Sequence, residues 1–88
     1  MPRYFFHLRN SEDVPDEEGM ELPDGAAAEA EALRSVRAMA SQAVLDGHLD
    51  LNHYIRVEDT HGDTIAQVNY GDVVTVTPVG ETVPTMRR

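Results

Sequence analysis

A small α+β domain, with one long helix laid across one face of a mainly antiparallel sheet, is the fold class this chain predicts. Three observations predict it. An alanine-rich amphipathic stretch runs between Asp24 and Gly47; an aromatic strand precedes it at Pro2–Arg9; two β-branched runs follow it, joined by the turn Asp59-Thr60-His61-Gly62-Asp63. The order is strand, a short strand in the connection, helix, strand, strand, in a sheet of three to five strands. Residues 1–77 form a single domain, and 78–88, with two prolines, a glycine and no periodic pattern, are expected to be a disordered tail.

The helix carries its own start and stop signals. Asp24 is a good N-cap, because its carboxylate can accept from the unpaired N–H groups of the first turn. Pro23 keeps the incoming chain extended, and Gly47 can take the left-handed conformation that closes the other end. Five alanines between Ala26 and Ala32 favour helix strongly. At 100° per residue, Leu33, Val36, Ala40, Ala43 and Val44 form one stripe, with Ala32 and Met39 at its edge.

In the first strand Tyr4, Phe6 and Leu8 point one way and Arg3, Phe5, His7 and Arg9 the other. The connection Asn10–Pro23 is polar, although Val14 and Met20-Glu21-Leu22 are suited to short extended pieces that rejoin the sheet. Asn52–Glu58 is the next strand. Asp59 and Gly62 suit a type I turn with a bulge, a register that sets Val57 opposite Ile65 and Tyr54 opposite Val68 in the strand Thr64–Tyr70. Gly71-Asp72 breaks that strand, and Val73–Thr77 is expected as a short edge strand.

Taken together, Arg3-Tyr4-Phe5-Phe6-His7-Leu8-Arg9, Asp16-Glu17-Glu18-Gly19-Met20-Glu21-Leu22-Pro23-Asp24, the alanine-rich helix with Glu31-Ala32-Leu33, and the hairpin with Ile55-Arg56-Val57-Glu58-Asp59 and Gly62-Asp63-Thr64-Ile65 resemble an uncharacterised family. That family consists of short proteins of rhizobia and related alphaproteobacteria, classed as a domain of unknown function. The resemblance implies a small cytoplasmic bacterial protein. It transfers no site, because the family carries no assigned activity. Tyr70-Gly71-Asp72 and the tail depart from its pattern.

Composition narrows the function classes. The net charge is −9, all seven basic residues are arginine, and nine of the sixteen acids lie between Arg9 and Arg34. Phosphate binding needs a basic patch, so direct nucleic-acid binding is not expected. No apolar run approaches the length of a membrane span, and Met1–Asn10 is too short and polar for a secretion signal. The chain has no cysteine, which removes disulfides, thiolate metal sites and thiol catalysis. No serine-nucleophile or phosphate-loop motif is present. The reading is therefore not an enzyme, with no cofactor, but a protein-interaction or regulatory module.

The connection Asp13–Asp24 holds six carboxylates, and Asp13, Asp16, Glu17, Glu18 and Glu21 are the candidate interaction residues for a basic protein partner. The alternative is a metal- or small-ligand-responsive protein that uses residues 12–24 to bind a hard cation through oxygen, although the spacing fails the calcium-loop pattern. His7, His48, His53 and His61 form no helical ligand pair and read as structural or solvated. A homodimer through the sheet is also expected. One helix covers one face only, yet Phe5, Tyr54 and Val68 put apolar groups on the other.

Overall fold

A computed structural model of the chain describes residues 1–79. Its elements are β1 (Arg3–Arg9), β2 (Asp13–Val14), β3 (Met20–Glu21), α1 (Gly25–Leu45), β4 (Tyr54–Glu58), β5 (Thr64–Asn69) and the single turn α2 (Tyr70–Val73). The five strands make one antiparallel sheet in the order β2-β1-β4-β5, with β3 also paired to β1. The expected α+β fold is the one observed. Both short extended pieces of the connection pair with β1, Val14 opposite Leu8 and Met20 opposite Tyr4.

The Asp24 carboxylate caps α1 by accepting from the Ala27 N–H at 2.9 Å. At the far end Gly47 adopts φ +93. Its N–H donates to the Val44 carbonyl at 2.9 Å and that of His48 to the Ala43 carbonyl at 3.0 Å, the paired closure in which a left-handed glycine satisfies the last carbonyls. The buried line is Ala28, Ala32, Val36 and Ala40. It therefore runs through Ala32, expected at the stripe's edge, and leaves Val44 59 % exposed. Residues four apart stack on one face, and their small side chains let the helix sit close to Tyr4, Ile55, Val57 and Val68, with which they share the core. Ala32 is fully buried, so Ala32→Leu has no room. We expect a loss of about 1–3 kcal/mol in urea denaturation, as overpacked cores show; an unchanged midpoint would contradict this close approach.

The hairpin turn is as expected. The Asp59 carboxylate accepts from the His61 and Asp63 N–H groups, Gly62 has φ +82, and Glu58 stands opposite Thr64. One residue further the register changes. A bulge at Ile65 puts Val57 opposite Ala66, Ile55 opposite Val68 and Tyr54 opposite Asn69. Val68 thus belongs to the helix side, buried in the core, and not to the face shared by Phe5 and Tyr54. The extra residue of a bulge shifts which side chains face inward, here bringing Ala66 and Val68 under α1.

The expected edge strand at Val73–Thr77 does not form. The Tyr70 N–H donates to the His53 carbonyl at 2.7 Å and the Gly71 N–H to the Leu51 carbonyl at 3.0 Å, while the Asp72 carboxylate accepts from the Asn69 N–H. These bonds turn the chain into α2 and tuck Tyr70 into the core. Of the expected tail, residues 80–88 lie outside the described residues.

Candidate functional site

The sheet face away from α1 is open and polar. Strand alternation and the β1–β4 pairing place Arg3, Phe5, His7 and Arg9 of β1 beside Tyr54, Arg56 and Glu58 of β4, with His7 opposite Arg56, Arg9 opposite Tyr54 and Phe5 opposite Glu58. A hollow of about 310 Å³ lies on this face. It is lined by His7, Arg9, Tyr54, Arg56 and Glu58 with the β2 margin, Asp13 to Pro15.

The acidic connection forms the rim of this face, and Asp16 fastens it there. Between β2 and β3 the outer edge of β1 has no strand partner, and Asp16 fills the gap. Its Oδ2 accepts from the Phe6 N–H at 3.1 Å, and its Oδ1 from the Glu18 and Gly19 N–H groups, each at 3.1 Å. Partial burial pushes the Asp16 carboxyl up, but the N–H groups of Gly19, Phe6 and Glu18 outweigh it and hold it below the usual carboxylate value. The Asp16 N–H in turn donates to His7 Nδ1 at 3.1 Å. That nitrogen therefore carries no proton, and Nε2–H donates to Glu58 Oε1 at 3.1 Å. Glu58 Oε2 accepts from Arg56 Nε at 3.1 Å. A continuous chain of hydrogen bonds thus ties the connection to β1 and β4.

The carboxylates named from the sequence divide in two. Asp13 pairs with Arg9 at 2.8 Å and Glu21 with Arg3 at 3.4 Å; Asp16 is filled by backbone donors. Glu17 and Glu18 lie exposed at the tip, with the Glu18 carbonyl accepting from Arg3 at 2.6 Å. The three residues expected on a dimer face do not come together. Val68 is on the helix side, and the Phe5 ring is closely approached by Gly19 of the connection, which leaves Tyr54 beside the hollow. Nothing in the sequence marks Arg9, Tyr54 and Arg56 as neighbours, since they meet only through the pairing of β1 with β4.

The histidines do not converge as one site. His48 and His53 line a second hollow of about 440 Å³ with Asn10, Gln42, Asp46 and Tyr70. There His53 approaches Asp50 at 3.4 Å and meets the Tyr70 ring edge-on at 5.5 Å. The Asn52 N–H, outweighing burial, lowers the Asp50 carboxyl, and burial raises the Tyr70 phenol. His61 is exposed on the hairpin turn. Among the described residues no three His, Asp or Glu side chains are grouped to hold a metal ion.

A family model, DUF6894, described as a domain of unknown function, matches residues 3–71, from the first residue of β1 into α2. The chain belongs to the DUF6894 family. No curated protein and no solved structure matches it. The DUF6894 match takes in the whole sheet, α1 and the hydrogen-bonded chain from Asp16 to Arg56. Among the described residues no helix is long and apolar enough to cross a membrane.

Proposed function

We propose that this DUF6894 protein is a cytoplasmic, non-enzymatic interaction module that docks protein partners on the open face of its sheet. One observation carries the reading: that face holds donors the fold itself does not use. Arg56 spends only Nε on Glu58. Among the described residues its two terminal nitrogens and the Tyr54 hydroxyl make no hydrogen bond, and both side chains line the hollow beside Arg9. Arginine and tyrosine supply much of the binding energy at protein interfaces, through forked donors and rigid amphipathic area. Glu17 and Glu18 at the rim offer charge to a basic group of the same partner. Arg3 and Arg9 are already matched by Glu21 and Asp13, so the face lacks the uncompensated positive charge that phosphates need. His7 has both ring nitrogens committed, which argues against a general base here.

The test is capture from native lysate with wild type, an open-face variant (Arg9→Ala, Tyr54→Ala, Arg56→Ala) and a tip variant (Glu17→Gln, Glu18→Gln), each checked for folding by circular dichroism. Binding should vanish in the first variant and persist, weakened, in the second. A partner that survives the open-face substitutions would overturn the assignment.

The metal-responsive alternative would have to draw Asp13, Asp16 and Glu21 away from protein donors, above all Asp16, whose two oxygens already accept three N–H groups. Melting with calcium or magnesium should leave the transition unchanged. A true ligand at a hundred times its dissociation constant would add about 2.7 kcal/mol.

A further inference from the structure

The two edges of the sheet are treated very differently. The outer edge of β1 is closed along its length by β2, by the Asp16 carboxylate on the Phe6 N–H, and by β3. The other edge is β5, and among the described residues its outer side takes part in no backbone hydrogen bond. An uncovered edge is a template for another strand, and proteins that stay monomeric commonly guard one with lysine, proline or inward-pointing charge. β5 reads Thr64-Ile65-Ala66-Gln67-Val68-Asn69. It has no charge and no proline, in a chain of net charge −9; its one guarding device is the bulge near its start.

We propose that β5 pairs antiparallel with β5 of a second copy, about a two-fold axis at Gln67, to make one continuous sheet across the dimer. Beyond the bulge at Ile65, the segment Ala66–Val68 is self-complementary in that register. Residues directly opposite in an antiparallel ladder share a face, so Gln67 meets Gln67 on the open face and Ala66 meets Val68 beneath the helices. Registers offset by one residue would set the open-face side chain of Gln67 against core-facing Ala66 or Val68. Another copy of this chain is the occupant because the uncharged strand is where two strongly acidic molecules can approach without opposing carboxylates in the ladder. Asp63 and Asp72 lie beyond the ends of β5. The helix side adds apolar surface. The Ile65 side chain of β5 lies against Gly25, the first residue of α1, so the start of the helix stands above this edge. Ile65, 41 % exposed, stands at the same margin. This inference concerns the edge and is independent of partner docking on the open face.

Light scattering at micromolar concentration should give twice the 9.8 kDa chain mass. Gln67→Lys places two like charges on the axis and should return the mass to that of the single chain with an unchanged circular-dichroism spectrum. The chain has no cysteine, so Gln67→Cys is a unique reporter. Opposite α-carbons in a ladder are about 4.5–5.5 Å apart, within the span of a disulfide. Mild oxidation should therefore cross-link Gln67→Cys quickly, and Thr60→Cys on the hairpin turn slowly. A wild-type mass near 9.8 kDa overturns the proposal by itself. So does a dimer that survives Gln67→Lys and fails to cross-link through position 67; where it survives but does cross-link there, the edge pairing stands.

Discussion

Replacing Asp16 by alanine should cost the domain about 2–3 kcal/mol and loosen the whole connection from β2 to β3. A hydrogen bond to a charged group contributes about 1.5–3 kcal/mol, and the Asp16 carboxylate accepts three backbone N–H groups. The site is only partly buried, so water replaces some of what is lost and the total falls well short of three full bonds. A domain of this size holds about 5–10 kcal/mol in all, so the change is large. Asp16→Asn keeps one accepting oxygen and should lose less than Asp16→Ala, but not nothing, because its NH2 group cannot accept in place of the second oxygen. Urea denaturation gives the energies, and amide exchange at Phe6 and Gly19 gives the location. The acid limb supplies a second readout. The Asp16 carboxyl is held below its ordinary value, so its contribution is complete above the unfolded value of about 3.9. It is lost as pH falls through the lower folded value. Asp16→Asn should therefore flatten that part of the stability profile. A loss below about 0.5 kcal/mol, the scatter of neutral surface changes, would show that the gap in the β1 edge is closed by something else.

The same residue shows where sequence reading stops. The helix was legible because caps and composition are local: Asp24, Gly47 and the alanines act within a turn of themselves. The depth of its buried line was less so, since ranking by hydrophobicity favours Val44 over Ala28, whereas close packing on a sheet favours the smaller side chain. The turn chemistry of Asp59 and Gly62 fixes the register as far as Glu58 and Thr64, and one bulge then moves Val68 to the core. A local signal for it exists in the adjacent apolar pair Ile65-Ala66 ahead of Val68, which breaks strict alternation. Asp16 looked like one of six equivalent acids. Its three N–H partners come from two segments twelve residues apart, Phe6 and Glu18–Gly19, and no spacing in the chain announces that meeting. The Arg9, Tyr54 and Arg56 hollow was hidden for the same reason, because it is made by the pairing of β1 with β4 across more than forty intervening residues.

Gly19→Ala should be as damaging as the loss of Asp16, by about 2–4 kcal/mol, and a built-in control separates its two causes. Gly19 has φ +72, a conformation that costs an L-residue about 1–2 kcal/mol. A methyl group there would also lie 2.8 Å from the Tyr4 carbonyl oxygen and 2.9 Å from the Phe5 ring. The Phe5 ring can shift; the Tyr4 carbonyl belongs to β1, beside its pairing with Met20, and can retreat only by opening the β1–β3 ladder. Overpacking of that kind adds about 1–3 kcal/mol. Gly62 has φ +82 with nothing within 4 Å of the position a methyl would take, so Gly62→Ala should carry the backbone cost alone. The excess of Gly19→Ala over Gly62→Ala in matched denaturation curves is therefore the energy of the close approach. Equal losses would mean that the connection rides loosely on β1, in which case the rim it gives the open face is not preformed and a docking partner would have to order it.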